Sequence, residues 1–302
     1  MTALAGTGAG TARSGPGPNL RQRLGRATPY ILLAPGILWL LVFFILPAIQ
    51  MFLTSVSTGS IDEGFKLTFS TKAYETAFKS FPRQFGNSIL FGGLATIFTF
   101  LIGFPLAYTI AFRGGRYKNL LLFMVIAPFF TSFLIRTISW KIILNDNGPV
   151  LGLLKDLHLL GPDATIIQTP IAVVAGITYN FLPFMVLPLY VALEKIDVRL
   201  IEAANDLYAS HCGAFRRVTF PLALPGVFAG SILTFIPATG DFVNAQLLGN
   251  PQSQMIGNVI QSRFVQQNDY PTAAALSFIL MAGILVAVSI YARFLGTEQL
   301  TG

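Results

Sequence analysis

Uncharged apolar runs alternate with charged connectors along this chain. The runs cover residues 30–53, 84–112, 119–135 (extensible to about 144), 164–193, 218–240 and 270–292. Each is long enough for one membrane-crossing helix, which takes roughly 17–25 residues. The most distinctive connector is Glu194–Pro225, because the segments beside it, 164–193 and 218–240, contain no Asp, Glu, Lys or Arg. Within it, Ile196, Leu200, Ala203, Ala204 and Leu207 recur at helical spacing against Arg199, Glu202 and Asp206, the pattern of a short amphipathic helix. Tethered at both ends to the bilayer, such a helix is suited to receiving a partner protein. Residues 242–262 are also uncharged, but they are rich in Asn, Gln, Gly and Ser and interrupted by Gly249-Asn250-Pro251. Irregular backbone is excluded from contact with lipid, so this stretch is expected to be a protein-lined loop or short helix near the outer mouth. A seventh span is the alternative.

Composition agrees with the pattern. Of 302 residues, 53% are hydrophobic and only 11% charged, with a mean hydropathy of +0.65; soluble domains carry about 25% charged residues. The expected fold is an all-α integral membrane protein with six transmembrane helices. Pro35, Pro47, Pro105, Pro128, Pro183, Pro188 and Pro225 fall inside the runs, and Gly92, Gly93, Gly103, Gly176, Gly226 and Gly230 allow close helix approach. A net charge of +7 and a pI near 9.7 would suggest nucleic acid for a soluble protein. In a membrane protein they record topology. Arg13, Arg21, Arg23, Arg26, Arg113, Arg116, Lys118, Lys195, Arg199, Arg216, Arg217 and Arg293 fall on one side of a six-span arrangement, with Glu194, Asp197, Glu202, Asp206 and Glu298. The whole excess of +7 lies there, so that side is expected to be cytoplasmic, with both termini. The predicted organisation is a disordered cytoplasmic tail at 1–28, a first helix and outer loop at 29–85, a core of five helices at 86–294 and a cytoplasmic tail at 295–302. The run 30–53 is too long for a cleaved signal peptide and is expected to remain as a span. The chain is thus expected to be a multi-pass membrane protein.

The chemistry-bearing residues are sparse. The single cysteine, Cys212, excludes an internal disulfide and any multi-cysteine metal site. His158 and His211 form no HExxH pair, and neither a GxxxxGK[ST] phosphate loop nor a GxSxG elbow occurs. No catalytic residue, metal site or cofactor is assigned to this chain, and transport is favoured over enzymatic chemistry.

The connector also carries a motif. Glu202-Ala203-Ala204 is followed at the expected distance by Val218-Thr219-Phe220-Pro221. This resembles the cytoplasmic EAA motif of permease subunits in binding-protein-dependent ABC importers, in which Glu-Ala-Ala is followed by a glycine and then by Ile-x-Leu-Pro. The glycine position holds Tyr208, a departure from the family pattern. Either the turn is made later, around Ser210 to Gly213, or its geometry differs, since Tyr adopts positive φ at a cost. The likeness extends over about 86–294, and FIPATGDFVNAQLLGNPQSQMIGNVIQSRF (235–264) resembles the spermidine/putrescine branch. The resemblance implies a type I importer permease of the bacterial plasma membrane, paired with a second, related permease. Two cytoplasmic ATPase subunits holding ATP and Mg would dock beneath the pair, and an extracellular or periplasmic binding protein would deliver substrate. It further implies that Glu202, Ala203, Ala204, Arg199, Asp206, Tyr208, Gly213, Phe215 and Pro221 form the ATPase-coupling element. Importers of ferric iron, thiamine or an anion share the same architecture and are the alternative cargo classes. A secondary transporter would be expected to show two similar halves, which are not evident.

For cargo, a polycation requires acidic or π-rich walls to replace its water. Asp241 directly follows the fifth run, and Asp241, Phe242, Trp140, Tyr179, Asn180 and Asn87 are the expected translocation-path residues. The other account of Asp241 is that it caps a helix end or pairs with Arg136 or Lys141.

Overall fold

The computed structural model describes residues 32–60, 64–161 and 163–295. The tails expected at 1–28 and 295–302 lie outside them, save Leu295. By internal contacts the chain divides at Met51/Phe52. The first helix, α1 (Leu32–Ser55), runs through this boundary. A two-stranded antiparallel hairpin follows, β1 (Ser57–Ser60) and β2 (Gly64–Leu67), with Ser57 opposite Leu67. Then come α2 (Lys72–Ser80), α3 (Pro82–Arg113), α4 (Lys118–Ile126), α5 (Phe133–Ile143), α6 (Pro149–Asp156) and α7 (Pro170–Glu194). The elbow helix α8 (Val198–Asp206) leads into α9 (His211–Thr239). The short helices α10 (Val243–Leu248) and α11 (Ile256–Gln261) precede α12 (Tyr270–Leu295).

α1, α3, α7, α9 and α12 are each long and apolar enough to cross a bilayer. The third run is not a single straight helix: Gly115–Phe130 and Phe133–Ile143 meet at 95°. Its cause is local. Pro128 opens a 3-10 turn, and Thr131 then adopts extended backbone, φ −98° and ψ 151°, which ends the helical ladder. Residues 242–262 form no seventh span. They fold as two short helices around a turn at Asn250–Ser253, with Leu248, Met255 and Ile256 fully buried in the protein.

The core is α3, α7 and α9 packed on one another. The contacts fall in two layers. One holds Phe104, Ile110, Met185, Leu189 and Leu193; the other holds Phe91, Ile177, Phe181 and Leu248. Lipid supplies no hydrophobic drive between helices, so close backbone approach must do the work. Gly226 of α9 provides it: a Cβ there would lie 2.8 Å from the Pro188 carbonyl oxygen and 2.5 Å from the Ala192 Cβ.

Two prolines are accommodated by bulging, Pro47 and Pro221. Leu41–Ile45 and Phe215–Thr219 are π-turns, and each ends one residue before a Leu-Pro or Phe-Pro pair, Leu46-Pro47 and Phe220-Pro221. In both, the residue before proline donates five residues back, Leu46 N–H to Leu41 O and Phe220 N–H to Phe215 O. A proline cannot donate and its ring crowds the carbonyl four residues earlier. The wider turn moves that carbonyl aside, which is where such bulges recur.

One end of the bundle gathers the connector 113–118 and the elbow. Lys118 Nζ donates to Glu194 Oε1 at 2.6 Å and lies 5.2 Å from the centre of the Tyr190 ring. The opposite end gathers the start of α3 with residues 250–263: Asn87 Nδ2 donates to the carbonyls of Gln252 and Gln254, both at 2.9 Å, and Ser88 Oγ accepts from the Ile256 N–H.

Candidate functional site

The elbow begins with Asp197, whose carboxylate accepts from the Arg199 N–H and caps α8. Arg199, Glu202, Ala203 and Asp206 are exposed, whereas Ala204 and Ile201 are half-buried against the bundle. Glu202, Arg199 and Asp206 therefore form one polar outer face over about two turns of helix. α8 ends in a Schellman motif: Ala209 N–H donates to Ala204 O at 3.1 Å and Tyr208 N–H to Asn205 O at 3.0 Å. The residue at the left-handed position of that motif is Tyr208, with φ +61°. The turn thus falls at the family's glycine position and not later, at Ser210–Gly213. Ser210 instead starts the next helix, its hydroxyl accepting from the Gly213 N–H and capping α9. The Tyr208 side chain is 100% exposed and Leu207 is 81% exposed, so an aromatic and an aliphatic group project from the tip.

Two members of the expected coupling set, Phe215 and Pro221, are half-buried beyond the outer face of α8. Phe215 does not flank Glu202: its ring packs 5.6 Å from Phe104 and 6.1 Å from Tyr108, since the π-turn swings it onto α3. Pro221 lies in the first turn of the regular part of α9, where the missing N–H is tolerated. Phe215 thus ties the elbow to α3.

Around α10, four polar side chains from three elements meet in the interior. Asp241 Oδ1 accepts from the N–H groups of Val243 at 2.9 Å and Asn244 at 3.1 Å, and Oδ2 accepts from Asn244 Nδ2 at 2.5 Å. Asn244 Oδ1 in turn accepts from Asn180 Nδ2 at 3.1 Å and from the Thr137 hydroxyl at 3.4 Å, and Asn180 Nδ2 also donates to Thr137 Oγ1. Thr137, Asn180 and Asn244 are at most 1% exposed and Asp241 is 6% exposed. Burial pushes the Asp241 carboxyl above the ordinary carboxylate range, while the hydrogen bonds from Asn244 and Val243 pull it down. Asp241 does cap a helix start, but it pairs with neither Arg136 nor Lys141: no ion pair involves these three among the described residues. Arg136 instead stacks over Phe129, 4.5 Å from its ring centre.

Trp140 and Thr137, three residues apart, share a face of α5, and Tyr179 precedes Asn180 on α7. The Trp140 and Tyr179 rings lie 5.4 Å apart and line a groove of about 730 Å³ with Phe91, Phe98, Ile102 and Thr178. Phe242 is partly exposed beside Asp241, and its carbonyl accepts from Asn258. Asn87 stands apart from this cluster and braces the 250–254 turn. Thr137 and Asn244 are absent from the expected path. Their signal in the sequence is faint, uncharged polar residues isolated among apolar ones.

The family described as binding-protein-dependent transport system inner membrane component matches residues 99–295. The spermidine/putrescine transport system permease protein PotB of Haemophilus influenzae is 37% identical over 256 residues, 84% of this chain and 90% of that protein. PotB of Escherichia coli is 36% identical over 258 residues, 84% and 93% respectively. Among solved structures, a bacterial ABC transporter involved in the import of the acidic polysaccharide alginate aligns with a TM-score of 0.74 at 21% identity, covering 94% of this chain and 99% of that one. A chain of the MetNI methionine ABC transporter aligns with a TM-score of 0.54 at 19% identity, covering 71% and 95%. The chain thus has the fold of an ABC importer permease, and it belongs to the family of binding-protein-dependent transport system inner membrane components.

Proposed function

We propose that this chain is one permease subunit of an ATP-driven importer of polyamines, forming half of the path for spermidine or putrescine. The observation that carries the cargo assignment is the 36–37% identity to PotB proteins across 84% of the chain. Physical chemistry supports it. A polyamine leaving water needs acceptors and π-faces; Asp241 is a buried carboxyl, and the Trp140 and Tyr179 rings line the groove beside α5 and α7.

The elbow is the coupling element. In this reading it faces the cytoplasm, and a dimeric ATPase that holds ATP and Mg seats it in a surface cleft. A second, related permease completes the path, and a binding protein delivers cargo from outside; a homologous-fold alginate importer is known in complex with such a periplasmic protein. Closure of the ATPase pair moves α8, and the inward-facing Phe215 and Lys118–Glu194 contacts carry that motion into α3, α4 and α7. Two packings of the bundle, opened in turn to either side, provide the switch.

The test is reconstitution with the neighbouring ATPase, sister permease and binding protein in proteoliposomes. ATP-dependent accumulation of radiolabelled spermidine is expected, and the chain purified alone hydrolyses no ATP. Accumulation of ferric iron, thiamine or an anion in place of polyamine would overturn the cargo assignment.

A further inference from the structure

Asp241 is a buried carboxyl satisfied only by neutral N–H groups. Oδ1 is engaged by two backbone amides, and Oδ2 has a single donor, the side-chain amide of Asn244. No cation pairs with it among the described residues. A desolvated carboxylate without a counter-cation is held at a cost, and an ammonium N–H is a much stronger donor to it than a carboxamide N–H. The same cluster holds a second vacant acceptor position: Asn180 Oδ1 is buried and accepts no hydrogen bond. Two under-supplied acceptors and no cation are the complement of an alkylammonium group, which brings positive charge and three N–H donors.

Asn244 stands between these acceptors. Its amide nitrogen holds Asp241, while its oxygen holds Asn180 of α7 and Thr137 of α5. Gly176 leaves room for it: a Cβ at that position would lie 2.7 Å from Asn244 Oδ1. We infer that Asn244 is a stand-in for the cargo, occupying on Asp241 Oδ2 the place that a terminal ammonium of a polyamine takes during passage. The arriving ammonium displaces the amide. Asn244 then turns, and its oxygen releases Asn180 and Thr137, so that cargo arrival uncouples α10 from α7 and α5. The assignment rests on the proposal that Asp241 faces the cargo path, and the test separates the two.

The measurement is equilibrium binding of radiolabelled spermidine to the assembled transporter in nanodiscs, without binding protein, together with uptake in proteoliposomes. Asn244→Leu removes the competing donor at similar volume. Spermidine binding is expected to tighten about tenfold, the worth of one charge-assisted hydrogen bond, while uptake falls because the link to Asn180 and Thr137 is cut. Asp241→Asn is expected to weaken binding about tenfold on the same ground, and Asn244→Leu is expected to have no effect on affinity in that background. A merely structural role for Asn244 lowers the yield of transporter and leaves affinity unchanged or weaker. That outcome, with Asp241→Asn still impaired, overturns the stand-in role and spares the acid. Wild-type binding by Asp241→Asn overturns both. If Asn244→Leu does not assemble, Asn244→Ala carries the same expectations and the same refutation.

Discussion

Replacing Tyr208 by glycine is expected to stabilise the isolated permease and weaken its complex. The φ of +61° places Tyr208 in the left-handed region, which costs a non-glycine residue about 1–2 kcal/mol. Glycine removes that cost but adds unfolded-state freedom of about 0.5–1 kcal/mol. No packing is lost, because the side chain is 100% exposed. The net gain is about 0.5–1 kcal/mol, and the melting temperature should rise by roughly 2 °C, the shift typical of about 1 kcal/mol in a chain of this size class. For the complex the sign reverses. A tyrosine seated in a cleft buries on the order of 150–250 Å², and truncating such an anchor costs about 2 kcal/mol or more. Retention of the ATPase during purification should therefore drop even as the permease itself melts higher. Intrinsic fluorescence melts of the detergent-solubilised subunit, paired with co-purification from membranes, give both signs. A lower melting temperature for Tyr208→Gly would refute the strain argument, and unchanged ATPase retention would refute the anchor.

Glu202→Ala removes the exposed carboxylate at the centre of the outer face of α8; uptake should fall at least tenfold with normal membrane abundance, read by uptake and immunoblot together, on the scale of a charged interface contact. Lys118→Glu should lower uptake by separating the 118 and 194 ends, and the exchange Lys118→Glu with Glu194→Lys should restore it; failure of the double variant to recover would count against the ion pair as the working contact. Gly226→Val places methyl groups against the Pro188 carbonyl and Ala192. It should destabilise the bundle by about 1–3 kcal/mol or more, as overpacking does, seen as lower folded yield and an earlier melt.

The spans were legible because a bilayer imposes a length and excludes charge, so uncharged runs announce themselves without detail of packing. The bend at Thr131–Ser132 was not, since Pro128 resembles the prolines that α3, α7 and α9 carry through intact helices. Periodicity placed α8 and its polar face, but it treats Phe215 as one more residue of a helix; the π-turn that shifts its phase depends on the proline six residues on. The left-handed Tyr208 opposes local preference and is held by the hydrogen bonds of the motif around it. The buried cluster was half legible. A charge such as Asp241 stands out in an apolar setting, whereas Thr137 and Asn244 acquire meaning only when the chain brings together residues 107 positions apart.

The wide turn at Phe215–Thr219 bears on how the transporter could be re-engineered. It inserts one residue beyond a regular helix between the elbow and the body of α9, and one residue corresponds to about 100° of helical rotation. Straightening it into a regular helix without removing a residue would keep the elbow seated yet spin the remainder of the fifth span about its own axis by more than a quarter turn. Gly226 would leave Pro188 and a bulky neighbour would arrive in its stead. The bulge is therefore a phase setter, and the spacing between Glu202 and Pro221 matters as much as the identity of either.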